Sequence, residues 1–464
     1  MAVPATTPTI AVAAGRAPAA ARTRQLLEAP IVPTLLRLAA PNVVVLAVQT
    51  TINVLEAYFV GWLGTDALAG VSLVFPLIML MQTMSAGGMG GGVASAIARA
   101  LGAGRREDAN ALVVHALLIA TGMAALFTGG MLVGGPVLFR SMGGRDGALA
   151  AAVSYSTVIF SGAVAFWMFN TLGSIIRGTG NMILPAAVVV GGGLFIVPLS
   201  PALIFGIGPV PSLGVTGAGL AVVTYYVLGS VVFTLYLASG RGLVRLSRRR
   251  VVLRWAMFRD ILRVGLPGAF NTVQANLTQV LLTAAVGAFG TAALAGYGMG
   301  ARLEYLQIPL VFGMGSALVT MVGTNMGAGQ RLRARRVAWV GAAIAAAVTA
   351  AIGLLGALAP QLWLGMFSSE TDVLAAGATY LRIVGPTYGF FGLGLALYFA
   401  SQGAGHLLWP VLGGAARLLV AAGGGWFVVH ALGGSLAALC GVMALAFVIF
   451  GSAIALALRA GVWR

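Results

Sequence analysis

The sequence predicts an all-α integral membrane protein with twelve transmembrane helices in two parallel-repeat six-helix lobes. Three observations lead there. Of 464 residues 59% are hydrophobic and 8% charged, with a mean hydropathy of +0.99, whereas a soluble domain carries about a quarter charged residues. Apolar stretches of the roughly 20 residues that cross a bilayer as a helix follow one another from Ile31 to Leu458. The same landmarks also occur twice. "LLRLAAP" from Leu35 returns as "ILRVGLP" from Ile261, an offset of 226 residues, and "GTDALAG" from Gly64 returns as "GTAALAG" from Gly290. At an offset of 225, "GTGNMILP" from Gly178 returns as "GAGHLLWP" from Gly403. Six spans per repeat is an even number, so both copies enter from one side and are related by an axis along the membrane normal.

Spans are expected near residues 32–61, 66–100, 109–136, 150–175, 182–207, 214–240, 258–288, 291–326, 333–360, 374–401, 407–432 and 435–458. Residues 1–30, rich in Ala, Pro and Thr, lack a signal peptide's apolar region and are expected to form a flexible cytoplasmic N-terminal tail. Residues 31–240 make the N-terminal six-helix lobe, 241–257 a basic cytoplasmic connector, and 258–464 the C-terminal lobe.

The basic residues are all Arg, and the formal net charge is +17. Their placement reads as topology rather than nucleic-acid binding. Arg99, Arg105 and Arg106 follow the second span, Arg177 the fourth, Arg241 to Arg254 the sixth, Arg331 to Arg336 the eighth, and Arg459 the last. By the positive-inside rule both termini are cytoplasmic, in a multi-pass cell-membrane protein. Cys440 is the single cysteine, so no intrachain disulfide is available, and His115, His406 and His430 lack metal-ligand spacing. No cofactor is expected.

Of ten acidic residues, Glu56 and Glu304 stand inside apolar spans. The repeat pairs Glu56 with Leu282 and Glu304 with Ile78, so neither acid is shared scaffold. Ionisable groups at such depth mark functional sites by default. Gln49 and Asn53 precede Glu56 by seven and three residues, which puts the three on one helical face. The alternative is that Glu56 reaches the outer headgroups.

These landmarks resemble the multidrug and toxic compound extrusion (MATE) transporters, in particular the DinF-like bacterial branch. The resemblance runs from Leu35 to Leu458. Its carriers are "EAYFVGWLGTDALAG", "SAIARALGAGRREDA", "RGTGNMILP" and, most specifically, "GARLEYLQIPLVFGMGSALVTMVGTNMGAG" from Gly300 to Gly329. It implies a V-shaped pair of lobes that alternate between inward- and outward-open states, exporting organic, often cationic, compounds against proton or sodium influx. Glu56 falls where relatives carry a coupling aspartate. The chain departs from the family in the fifth span, where Ile196 and Ser200 replace an Asn and an Asp, and in the sixth, where Val222 replaces a Thr. Sodium needs several oxygen ligands and a proton needs one carboxylate, so the reduced set favours protons.

In the second half Glu304 is a second candidate for the coupling ion, and Arg302, Asn271, Gln274 and Asn276 are candidates to bind substrate together with Gln49 and Asn53. Their alternative roles are ion pairing and helix-to-helix hydrogen bonding. The expectation is a monomeric secondary antiporter exporting amphiphilic, cationic small molecules, coupled to protons. A sodium-coupled antiporter and a flippase for a lipid-linked or amphipathic metabolite are the alternatives. Against the flippase, Arg302 reads as the one mid-membrane Arg. An enzyme would need clustered His, Asp or Glu, which two separated acids do not supply.

Overall fold

The computed structural model describes residues 16–206, 211–246 and 252–463. Arg248, Arg249 and Arg250 of the connector, the first fifteen residues and Arg464 lie outside the described residues. Everything regular among the described residues is helical. The twelve segments are α1 (Ile31–Gly61), α2 (Thr65–Gly102), α3 (Arg106–Ser141), α4 (Asp146–Ser161 and Ala163–Gly178), α5 (Ile183–Phe205), α6 (Val215–Ala238), α7 (Trp255–Gly287), α8 (Thr291–Gly327), α9 (Arg331–Leu358), α10 (Thr371–Ala404), α11 (Leu408–Ala431) and α12 (Leu436–Arg459).

Eleven of these are long and apolar enough to cross a bilayer, counting the two pieces of α4 as one span. The twelfth, α7, has the length at 33 residues. It carries Arg259, Asp260 and Arg263 near its start and Asn271, Gln274, Asn276 and Gln279 along its middle, so its apolar character is diluted. A helix this polar is tolerated where neighbouring helices cover it.

The repeat is visible in the packing. A Cβ added to Gly88 on α2 would lie 2.6 Å from the Ala269 nitrogen on α7, and one added to Gly313 on α8 would lie 2.9 Å from Val43 on α1. The repeat offset converts one pair into the other. Gly102 against the Thr324 carbonyl and Gly327 against the Arg99 carbonyl are exchanged in the same way. A contact and its image coexist only if a two-fold axis relates the lobes. At Gly88, Gly102 and Gly327 the added carbon would meet backbone of the facing helix, where nothing can rotate away, and at Gly313 it would meet the Val43 side chain. The breaks repeat too: α4 bends by 48° at Gly162, and α10 passes through a single 3₁₀ turn at Gly385–Thr387.

All of these close approaches lie toward one end of the bundle, the arginine-rich end. There Asp260 on α7 accepts from Arg99 on α2 (3.0 Å) and pairs with its neighbour Arg263 (3.3 Å). Ser95 donates to the Gln402 carbonyl (2.6 Å) and the Gly403 carbonyl (3.0 Å), and Arg99 also bonds Ser95. The two lobes are therefore latched at this end. The cleft around Arg99, Arg105, Arg254 and Asp260, about 570 Å³, is the open seam of that latch.

Two loop segments are better anchored than the sequence implies. Residues 16–28, expected within a flexible tail, form the helix Arg16–Glu28. Leu26 is buried, its carbonyl accepts from Asn325, and Arg333 bonds the Ala29 carbonyl. The connector is tied to α3: Arg106 donates to Leu243 O (2.8 Å), Arg245 N to Asn110 Oδ1 (2.9 Å) and Arg254 N to His115 Nε2 (3.0 Å).

Candidate functional site

Three places collect the polar groups that an apolar bundle would otherwise exclude: a centre in each lobe, and a cavity between the lobes.

In the N-terminal lobe, Glu56 points inward. Its Oε1 is buried without a hydrogen-bond partner. One carboxylate oxygen is thus turned into the protein and not to its surface. A Cβ on Gly193 of α5 would lie 3.0 Å from Ile52 and Val48 of α1, so these two helices pack side by side. Ser200 sits two turns beyond Gly193 on the same face of α5, level with the Glu56 segment. The Ser200 and Tyr225 hydroxyls are also buried and unpartnered. Tyr226 donates to Gln82 Oε1 (3.2 Å), which also accepts from Asn170 (3.3 Å), and Asn170 donates to Ser85 (2.9 Å). This chain of bonds runs from Tyr226 on α6 to the space between the lobes.

In the C-terminal lobe, Glu304 is 7% exposed and accepts from Tyr380 (3.2 Å), whose oxygen in turn accepts from Tyr388 (3.4 Å). Tyr297 stacks edge-on against Tyr380 and accepts from Gln279 (2.8 Å). Arg417 on α11 makes no ion pair with Glu304 or any other acid among the described residues. Its guanidinium lies over the rings of Phe447 (4.8 Å), Phe391 (5.6 Å) and Phe450 (5.7 Å), favourable positions for a cation on aromatic faces.

The expected substrate residues separate. Gln49 lines the inter-lobe cavity, while Asn53 is exposed. Gln274 is buried, and it and Asn271 both face Gly414 of α11, one turn before Arg417. Asn276 is exposed and bonds back to Thr272 O (2.8 Å), because two residues along a helix from Gln274 it faces nearly the opposite way. Arg302 does not join Glu304 either. It is exposed and stacks on Phe367 (5.2 Å) in the loop before α10, again two residues and about 200° from the acid. Arg302 is thus not the one arginine inside the bundle. Arg417 and Arg177 are, and both escaped the sequence reading. Arg417 interrupts the apolar run from Leu407 to Leu432, the criterion that singled out Glu56. The sequence places Arg177 just past the fourth span, as a topology marker, but α4 continues through Gly178.

The inter-lobe cavity holds about 200 Å³. Its polar lining comes mainly from the N-terminal half: Asn42, Gln49, Gln82, Asn170, Ser174 and Arg177. The C-terminal half adds Ser316, Gln402, Phe312 and Phe399, and Phe169 completes the aromatic wall.

Two pseudo-symmetric six-helix lobes latched at one end, with a mixed polar and aromatic cavity between them, define a membrane transporter of small molecules. The chain belongs to the MatE family, whose description it matches twice, over residues 41–202 and 267–427, once per lobe. Members of this family are transporters rather than enzymes. The chain is 27% identical over 385 residues to a FAD transporter of Shewanella oneidensis, covering 81% of this chain and 82% of that one. It is equally 27% identical over 389 residues to a probable multidrug resistance protein NorM of Thermotoga maritima, covering 82% and 81%. Among solved structures, a MATE transporter in the bent conformation superposes with a TM-score of 0.86 at 26% identity, covering 95% and 98% of the two chains. A MOP superfamily transporter of Pyrococcus furiosus, described as having a binding pocket of reversed polarity, superposes with a TM-score of 0.84 at 26% identity over 94% and 97%.

Proposed function

We propose that the protein is a secondary antiporter that exports amphiphilic small molecules from the cell by alternating access, driven by inward proton movement through Glu56. Both termini and the arginine-rich end would face the cytoplasm, as the positive-inside rule asks. The latched arrangement is then the state closed to the cytoplasm, and a single chain with two lobes suffices for the cycle.

The observation that carries this reading is the Glu56 carboxylate, one oxygen of which is buried and unpartnered. A carboxyl in that setting gains a proton from one side and releases it to the other when the lobes rearrange, and one carboxylate suffices for a proton. The relay through Tyr226, Gln82 and Asn170 supports coupling, because it joins α6 to the cavity wall. Glu304 is held by Tyr380, which suits a fixed structural charge better than a travelling proton.

Sodium coupling is the second reading. The unpartnered Ser200 and Tyr225 hydroxyls on neighbouring helices favour it, since together with Glu56 they would offer a cation three oxygens. Reconstituted vesicles given a proton gradient alone, or a sodium gradient alone, separate the two. Efflux of a fluorescent amphiphile under the proton gradient supports the proposal. Efflux under sodium alone replaces it with the second reading, and efflux under neither refutes both.

A further inference from the structure

The transporter reading leaves open which molecules enter the inter-lobe cavity. We infer that this cavity takes an anionic amphiphile, with a phosphate or carboxylate on Arg177 and a planar aromatic or apolar body among Phe169, Phe312 and Phe399. This deepens the proposed function and rests on it. It also reverses the cationic preference expected from the sequence.

The charge inventory of the wall decides the sign. Among the described residues Arg177 is the one charged side chain lining the cavity, and neither Glu56 nor Glu304 reaches it. A guanidinium offers five N–H donors, and that of Arg177 makes a single hydrogen bond, to Ser174 (2.8 Å), with no carboxylate in ion-pair range among the described residues. Arginine inside a membrane bundle normally has a partner or lines a path for one.

The other arginines drawn into the bundle show what partnered ones look like. Arg99 is bound to Asp260, and Arg417 lies on a bed of three rings. The scaffold does not require charge at this position either. The repeat places Gln402 where Arg177 stands, on the opposite wall of the same cavity, and that neutral amide donates to the Gly87 carbonyl (3.0 Å). The charge is an addition on one side only, as expected of ligand recognition and not of folding. A planar guanidinium binds phosphate or carboxylate through paired hydrogen bonds, and the aromatic wall accepts a flat ring. At about 200 Å³ the cavity is smaller than whole-ligand pockets of about 300–1,000 Å³, so in this state it grips part of a ligand.

The test uses the full-length protein with flavin mononucleotide, riboflavin and ethidium: one ring system with and without a phosphate, and a flat cation. Arg177→Gln and Arg177→Lys are compared with wild type, each checked for unchanged thermal unfolding. The expected result is that wild type binds flavin mononucleotide at least tenfold tighter than riboflavin. Arg177→Gln should bring that ratio close to one while leaving riboflavin unchanged, and Arg177→Lys should keep part of it. A wild type that binds ethidium or riboflavin as tightly as flavin mononucleotide overturns the inference, as does an Arg177→Gln variant that keeps the full preference. Flux in vesicles separates this claim from the one beneath it. Ethidium moving under a proton gradient while flavin mononucleotide neither binds nor moves leaves the transporter and removes the anion. Arg177-dependent binding with no probe moving does the reverse. A further arm with a fluorescent phosphatidic acid in the vesicles asks whether the anion belongs to a lipid. Arg177-dependent movement of that lipid between leaflets assigns it there.

Discussion

Replacing Gly88 with Ala should loosen the latch between the lobes. The new Cβ would lie 2.6 Å from the Ala269 nitrogen, 2.8 Å from its Cα and 2.9 Å from the Gly268 carbonyl carbon. All three are backbone atoms of α7, so no rotamer change relieves the overlap, and ordinary contact requires α7 to retreat by roughly 0.5–1 Å. Overpacking of this kind costs about 1–3 kcal/mol. Ala gains up to about 1 kcal/mol of helix propensity over Gly, but it gains this whether the lobes are latched or apart. The equilibrium between the two arrangements should therefore move by about 2 kcal/mol, close to thirtyfold. Spin labels on cysteines introduced at Ser239 and Leu332, exposed positions at the arginine-rich ends of the two lobes, read the separation. The native Cys440 is buried. Gly122→Ala, with open space at its Cβ, is the control. A Gly88→Ala distance distribution identical to that of wild type and Gly122→Ala would refute the reasoning.

Asp260→Asn leaves Arg99, whose side chain is 11% exposed, without its carboxylate; because Asp260 is itself 34% exposed, the loss should be about 1–2 kcal/mol, seen as a larger population of separated lobes in the same label experiment. Tyr380→Phe removes the hydroxyl between Glu304 and Tyr388 and should lower stability by about 1 kcal/mol in thermal unfolding, and no change would mean the C-terminal centre is not held as described. At the turn between α10 and α11, partial burial and then the charges of Arg263, Arg99 and Arg331 hold the His406 imidazole below its ordinary range. The folded protein resists its protonation, so it loses stability as pH falls below about 6.5. His406→Gln should remove that part of the acid loss, and a pH profile of unfolding that matches wild type would count against it.

Eleven of the helices were legible in the sequence because each carries a long apolar run, whereas α7, its run diluted by polar residues, carries at its start the repeat landmark "ILRVGLP". The two-fold relation was legible as well, since paired landmarks such as Gly102 and Gly327 occupy equivalent places in three dimensions. Of the candidate site, the sequence singles out Glu56 by its isolation in an apolar run and Gln49 by the helical face it shares with Glu56, and the structure puts Gln49 on the cavity wall. What pattern could not supply was which long side chains meet. Arg302 and Glu304 are close in sequence and diverge around the helix, whereas Arg417 lies over the rings of Phe391, Phe447 and Phe450, which other helices supply. Arg177 looked like a topology marker because a loop motif follows immediately, and only the continuation of α4 through Gly178 brings it to the cavity. The latch of Arg99 and Asp260 was hidden for the same reason: each sits at a span end, and the repeat gives Thr324 and Thr34 in their places.

The proposed coupling role of Glu56 is tested most directly by proton-gradient-driven flux in reconstituted vesicles, comparing wild type, Glu56→Gln and Glu304→Gln, with flavin mononucleotide and ethidium both offered. The account predicts that Glu56→Gln still binds its ligand but no longer responds to the gradient, while Glu304→Gln, if it folds, continues to respond. A Glu56→Gln variant driven as well as wild type, with the response lost at Glu304 instead, would contradict it.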